Sequence, residues 1–126
     1  MSSWARLCLI AAAFSGLVSV AVGAFAAHGI ADPKAQELLR IGTGYEMTHA
    51  LAVFAAVFVV GLGAPRALIA AALFLVGAAL FCLPIYAVAL GAPRAVGMVI
   101  PVGGVGFMAG WIVLAWACLG LKKMAP

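Results

Sequence analysis

Two ionisable side chains, Glu46 and His49, stand three residues apart in a stretch that is otherwise apolar to Leu62. On a helix this spacing brings both side chains to one face. A carboxylate and an imidazole together can transfer protons, ligate a metal ion or hydrogen-bond across a helix interface. Ionisable groups at membrane depth are costly and normally face a bundle interior with partners. Glu46 and His49 are therefore the first candidates for a functional site.

The composition defines the class of protein. Hydrophobic residues make up 68% of the chain and charged residues only 8%, and the mean hydropathy is +1.30. Soluble domains carry about 25% charged residues. The net charge of +4 comes with no stripe of Lys and Arg, which argues against a nucleic-acid partner. We expect an integral membrane protein with the lipid bilayer as its surroundings.

Four apolar stretches are long enough to cross a bilayer, which needs about 20 residues per helix. Short turns between the later stretches require neighbouring spans to be antiparallel. The sequence therefore predicts an all-α, up-down-up-down four-helix bundle as a single transmembrane domain over residues 1–126. Its spans are predicted at about 7–27, 45–62, 67–90 and 95–121.

The first span has two interpretations. Arg6, the apolar run and the small residues of Ala24-Phe25-Ala26 resemble a cleaved secretory signal peptide. The run is longer than a usual signal sequence, and its small residues form a stripe suited to close packing of helices in lipid. We favour a retained helix. The stripe consists of Ala12, Gly16, Ser19, Gly23 and Ala27.

The connection between the first two spans contains Asp32-Pro33, a typical helix start with an N-cap and a proline in the first turn. We expect a short helix at about 33–41 lying along the membrane interface, with Leu39 toward the bilayer. Gly42 and Gly44 are predicted to break it before the second span begins.

The sequence Gly-Ala-Pro-Arg occurs at 63–66 and again at 91–94. Glycine after one helix and proline before the next are usual punctuation. A duplicated unit is one explanation, but we favour the same turn chemistry used twice.

Lys and Arg are more frequent in cytoplasmic loops than in external ones. The topology places four of these residues on the side of the termini and three on the other, which predicts cytoplasmic termini in the cell (inner) membrane. The four are Arg6, Arg66, Lys122 and Lys123, and the three are Lys34, Arg40 and Arg94.

The same topology collects the unusual residues in the half of the bundle away from the termini. Prolines there free backbone carbonyls that need partners in lipid. The predicted polar cluster or ligand-binding site comprises His28, Tyr45, Glu46, His49, Tyr86, Pro101, Gly103 and Gly104.

Metal binding is a weaker interpretation of this cluster. His28, His49 and Glu46 would suit a mononuclear zinc or iron site, although no spacing demands it. A dinuclear site of the kind found in helical bundles needs more carboxylates than the three acids present. We predict no metal ligand, cofactor or catalytic residue.

Three ordered motifs resemble the signature of the YgdD family, and the likeness extends over essentially the whole chain. They are residues 23–29 (GAFAAHG), 45–51 (YEMTHAL) and 101–104 (PVGG) with Gly110-Trp111. The resemblance implies a small four-span membrane protein whose biochemical function is not established. It also implies that His28, Tyr45, His49, Tyr86, Pro101, Gly103, Gly104 and Trp111 are family positions.

The chain departs from that family pattern at several positions. The family usually has Gln at the position of Glu46 and Gly at that of Ala26. It also favours a Ser-Gly-Ser-like stretch where this chain has 82–84 (CLP). The resemblance therefore does not imply a required carboxylate.

Three functions agree with these observations. We favour a non-enzymatic membrane component that assembles as a homo-oligomer or within a larger complex. The alternative is small-molecule, lipid-headgroup or ion binding or transport at the cluster. An enzyme using His49 and Glu46 for proton transfer is weaker, because no nucleophile or oxyanion donors accompany them.

Overall fold

A computed structural model describes residues 1–122, and every structural statement below concerns those residues. They form four long helices and no strand, which confirms the predicted all-α four-helix membrane bundle. All four helices are long and apolar enough to cross a bilayer. The helices are α1 (Ser3–Gly29), α2 (Pro33–Gly61), α3 (Ala67–Ala89) and α4 (Ile100–Leu119). Lys123, counted above among the charges on the side of the termini, lies outside the described residues.

Local sequence explains where the helices begin. The Ser2 hydroxyl accepts a hydrogen bond of 3.1 Å from the backbone N–H of Ala5 and caps α1. The Asp32 carboxylate accepts one of 3.3 Å from the N–H of Lys34, so α2 begins at Pro33, as the sequence predicts. A 3₁₀ helix, Arg94–Val99, leads into α4.

The expected short interfacial helix at 33–41 is wrong. α2 continues through Gly42 and Gly44 to Gly61 without interruption. Glycine inside a helix costs only about 1 kcal/mol, which tertiary packing readily offsets. Gly42 lies against the Tyr86 ring, where a Cβ would collide with the ring carbon Cε1. Leu39, expected to face the bilayer, is instead fully buried.

The two Gly-Ala-Pro-Arg sequences make similar turns with different continuations. Gly63 has φ of 103° and Gly91 has φ of 102°, in the left-handed region that glycine adopts without strain. Arg66 leads directly into α3, whereas Arg94 opens the 3₁₀ helix. Pro101 therefore falls in the first turn of α4, where a missing N–H breaks no helical bond. The expectation that Pro101 frees a carbonyl within a span is wrong.

Consecutive helices pack side by side in antiparallel fashion, with α2 and α3 at the centre. α1 packs on α2 and meets α3 only briefly, while α4 packs on α3 and meets α2 only briefly. In the described part of the chain α1 and α4 do not touch. The Arg66 guanidinium lies 4.4 Å from the centre of the Trp116 ring, which ties the α2–α3 turn to the last part of α4.

Candidate functional site

Glu46 joins three helices through its carboxylate. Oε2 accepts a hydrogen bond of 2.9 Å from the Ser15 hydroxyl on α1. Oε1 accepts one of 2.8 Å from the Tyr86 hydroxyl on α3. Glu46 is only 5% exposed. Through these two hydrogen bonds the side chain of Glu46 links α1 and α3 to α2.

His49 is held from both sides of its ring and is only 4% exposed. The indole N–H of Trp111 on α4 donates to Nε2 at 3.1 Å, and Nδ1 lies 2.7 Å from the Tyr45 carbonyl oxygen. An indole nitrogen only donates and a carbonyl only accepts. These partners therefore define a neutral imidazole that carries its proton on Nδ1.

Aromatic rings enclose this imidazole. The Phe107 ring stacks on it with centroids 3.6 Å apart and planes inclined by 11°. Tyr45 and Phe74 lie further away, with ring centroids 6.1 and 5.5 Å from that of His49. The Tyr45 ring is half exposed and also packs on Phe81 at 4.8 Å. His49 thus lies in an apolar aromatic setting that suits its neutral form.

Glu46 and His49 have separate partners. Glu46 contacts α1 and α3, whereas the second nitrogen of His49 reaches α4. The partners of His49 are Trp111 and the Tyr45 carbonyl of its own helix, rather than Glu46 or Tyr86. The two side chains therefore form adjacent sites rather than one pair.

The remaining predicted site residues divide into three groups. Tyr86 and Tyr45 join Glu46 and His49 in the polar and aromatic cluster. Gly103 instead lies at the α3–α4 contact, where a Cβ would be 2.5 Å from the backbone nitrogen of Phe81. The residues of the third group are exposed or have only ordinary van der Waals contacts. They are His28, exposed in the last turn of α1, Pro101, exposed in the first turn of α4, and Gly104, whose Cβ would be 3.8 Å from the Phe81 ring.

His28 does not join a metal site with Glu46 and His49. It closes α1 near the start of α2, where the Gln36 side-chain amide donates to the Ile30 carbonyl. From residue 36 to residue 49 the helix rises about 20 Å, at about 1.5 Å per residue. Residues 1–122 contain no group of three His, Cys, Asp or Glu side chains placed to hold a metal ion. The geometry therefore gives the mononuclear alternative no support.

Glu46 lies further along its helix than the sequence predicts. Because α2 begins at Pro33, Glu46 is about 20 Å from its start and about 22 Å from its end at Gly61. Ser15, its partner on α1, is also near the middle of its helix. Glu46 therefore lies near the middle of a continuous helix, because the break expected at Gly42 does not occur.

Sequence reasoning missed Ser15 and Phe107 as site residues. Ser15 and Ser19 are the only serines inside the first apolar run, four residues apart and so on one helix face. The Ser19 hydroxyl donates to the Thr43 carbonyl oxygen at 2.9 Å. Two hydroxyls at this spacing could have indicated in the sequence which side of α1 packs on α2. No comparable signal distinguishes Phe107 from the other apolar residues of α4.

The fold and the buried cluster together define a multi-pass helical membrane protein of four spans. Comparison with known proteins gives the family. The profile of the family described as "Protein of unknown function (DUF423)" matches residues 22–104. The chain belongs to this family, which confirms the resemblance to YgdD proteins.

Several bacterial membrane proteins are similar to the chain over most of its length. A UPF0382 membrane protein of Haemophilus influenzae is 37% identical over 119 residues, covering 89% of this chain and 93% of the relative. The UPF0382 inner membrane protein YgdD of Escherichia coli is 36% identical over 122 residues, with 94% and 93% covered. A UPF0382 membrane protein of Staphylococcus epidermidis is 32% identical over 117 residues, with 90% and 96% covered. No solved structure matches the chain.

Proposed function

We propose that the chain is a non-enzymatic component of the cell (inner) membrane, with cytoplasmic termini, in which the cluster of Glu46, His49 and Tyr86 fixes the helix arrangement. The observation that carries this proposal is the complete occupation of the His49 ring. Its acceptor nitrogen is used by Trp111 and its donor nitrogen by the Tyr45 carbonyl. A general base or metal ligand needs a free ring nitrogen.

The buried polar atoms support the same conclusion. In residues 1–122, every buried side-chain nitrogen and oxygen has a hydrogen-bond partner. Unsatisfied polar groups in hydrocarbon cost several kcal/mol, and satisfied ones hold helices together. α1, which is otherwise widely exposed, is attached to α2 by the Ser15 and Ser19 hydroxyls. Its remaining apolar surface is available to lipid, to further copies of the chain or to a larger membrane complex.

The reactivity of the two histidines toward diethyl pyrocarbonate tests the structural role. The reagent acylates an unprotonated, unoccupied imidazole nitrogen. In the full chain in mild detergent, we expect exposed His28 to react and His49 to resist until the protein unfolds. Mass spectrometry of peptides reports both sites in one sample, so His28 serves as the internal control.

Trp111→Phe sharpens this test, because it keeps an aromatic ring and removes only the N–H that occupies Nε2. We expect His49 to react faster in this variant while His28 is unchanged. Equal reactivity of His49 and His28 in the unmodified chain would show an open imidazole. That result would favour proton transfer or ligand binding at His49 over a structural role.

A second candidate function is binding or transport of a small molecule, lipid headgroup or ion at the cluster. The specific observation in its favour is a groove between α1 and α3 that reaches Ser15 and Glu46. We call it the Glu46 groove. Native purification with metal analysis and mass spectrometry tests this candidate, because a bound molecule or a partner protein would be detected directly.

A further inference from the structure

The Glu46 groove opens where α1 and α3 separate, and its volume is about 280 Å³. Its mouth is apolar, with the exposed side chains of Phe14, Val18 and Leu83 at its sides. Its only polar lining residues are Ser15 and Glu46. A molecule entering the groove therefore leaves an environment of acyl chains and meets one hydroxyl and one carboxylate.

The carboxylate has capacity for another donor. An ionised carboxylate offers about four lone-pair positions, and the Ser15 and Tyr86 hydroxyls use two of them. Both hydroxyls are neutral, so they supply hydrogen bonds but no positive charge. The only ion pair among residues 1–122 joins Arg40 to Glu37, at 3.5 Å on the exposed surface. A buried charge in lipid is ordinarily paired.

The lining indicates which class of ligand the groove can accept. A small inorganic cation prefers several oxygen ligands or water, and carbon atoms make up nearly all of this groove. An organic cation with an apolar body fits better, because its body fills the apolar part while its N–H groups donate to oxygen. The volume of the groove limits such a ligand to a small, compact molecule.

We propose that the Glu46 groove binds a small apolar amine in its cationic form, with the ammonium donating to the Glu46 carboxylate and the Ser15 hydroxyl oxygen. This inference rests on the second candidate function and names its ligand class. Neutralising Glu46 removes the attraction, whereas filling the mouth of the groove removes the space. The two changes therefore test charge and shape separately.

The probe is 1-adamantylamine, and the matched neutral control is 1-adamantanol, which has the same hydrocarbon cage. Binding of each to the purified full chain in non-ionic detergent is measured by isothermal titration calorimetry. We expect saturable binding of the amine and none of the alcohol. In Glu46→Gln the amine affinity should fall by about tenfold or more, as expected when one partner of a buried charge pair is removed.

Ala79→Phe keeps the proposal testable should Glu46→Gln unfold. Ala79 is an exposed lining residue, so a phenyl ring there obstructs the groove without entering the core. We expect it to abolish amine binding. Glu37→Gln is the control, because Glu37 is an exposed acid outside the groove, and it should leave binding unchanged.

Each contrary result has a separate meaning. Equal binding of amine and alcohol would overturn the charge selectivity while leaving a ligand-binding function in place. Amine binding that survives both Glu46→Gln and Ala79→Phe would place the ligand elsewhere and overturn the proposal. Absence of amine binding to the unmodified chain would also overturn it. In that case, a different ligand recovered with the native protein would still support the second candidate function.

Discussion

The two sides of the bundle are held together in different ways. α4 packs on α3 through glycines that bring the backbones close, with Gly106 placed so that a Cβ would lie 3.3 Å from the Gly77 Cα. α1 is attached to α2 through hydroxyl groups, with a groove left open between α1 and α3. In lipid, the hydrophobic effect does not favour helix association, so packing and hydrogen bonds must stabilise the contacts between helices. The α3–α4 side uses shape and the α1 side uses polar contacts.

The difference indicates where the bundle tolerates change. A glycine contact leaves no space, so any added atom must displace backbone. A hydroxyl contact occupies little area and leaves room beside it. We therefore expect the α3–α4 side to be the rigid part of the molecule and the α1 side to be the part that can admit a ligand. Four pairs of substitutions test this contrast.

The largest effect is expected for Gly103→Ala. The new Cβ would lie 2.5 Å from the backbone nitrogen of Phe81 and 2.7 Å from the carbonyl carbon of Leu80. Backbone atoms cannot rotate away, so the free energy of unfolding should fall by about 3 kcal/mol. Denaturant titration in mixed micelles measures this change in the free energy of unfolding.

Gly104→Ala is the matched control, because its Cβ would meet only the Phe81 ring, at 3.8 Å. We expect a change within about 0.5 kcal/mol. If the two variants have equal stability, the close α3–α4 contact is not a source of rigidity.

The second effect concerns the link between α2 and α4. His49→Leu removes the bond to Trp111 and should lower the free energy of unfolding by about 1 to 2 kcal/mol. Trp111→Phe should cost about 1 kcal/mol through the same bond. A double-mutant cycle separates the shared bond from lost packing, and additive costs would mean that the two side chains do not interact.

The third effect tests whether α2 is continuous. Gly44→Ala meets no neighbouring atom within 4 Å, so alanine should stabilise an unbroken helix by about 0.5 to 1 kcal/mol. Gly63→Ala is the opposite control, because Gly63 has φ of 103° in a turn, and it should destabilise. Loss of stability in Gly44→Ala would instead support the helix break that the sequence predicts at this position.

The smallest effect is expected for Ser19→Ala, which removes the hydrogen bond to the Thr43 carbonyl. Measured interhelical bonds of this kind in membranes average about 0.6 kcal/mol. Ser3→Ala is the control, because Ser3 is exposed at the start of α1, and it should leave the free energy of unfolding nearly unchanged. A cost at Ser19 comparable to that of Gly103→Ala would remove the distinction between the two sides.

Much of this architecture could be predicted because it depends on local chemistry. Apolar runs specify the four spans, and Asp32-Pro33 specifies the start of α2. Gly63 and Gly91 take left-handed conformations in turns, as their place after a helix suggests. Gly42 gives the same signal in the sequence as Gly63 and Gly91, yet it lies inside α2, packed against the Tyr86 ring. Only a neighbouring helix distinguishes the two uses of glycine.

The candidate site shows the same division. Glu46, His49 and Tyr86 stand out in the sequence because polar groups are rare and costly in an apolar chain. Their partners Ser15 and Trp111 come from helices at distant points of the chain, and the spacing of α2 alone gives no means to choose them. His28 was grouped with them because the break expected at Gly42 brought the start of the second span to its level.

By itself, the sequence determined a four-span helical membrane protein and the few side chains whose burial needs an explanation. These features depend on how each residue interacts with lipid, with water or with its own helix. Such interactions can be estimated residue by residue from the sequence. The tertiary structure alone decided that α2 is continuous, that Glu46 lies near its middle, and that the His49 ring is fully occupied. These outcomes depend on which helix faces meet, because contacts between distant segments outweigh local preferences of about 1 kcal/mol.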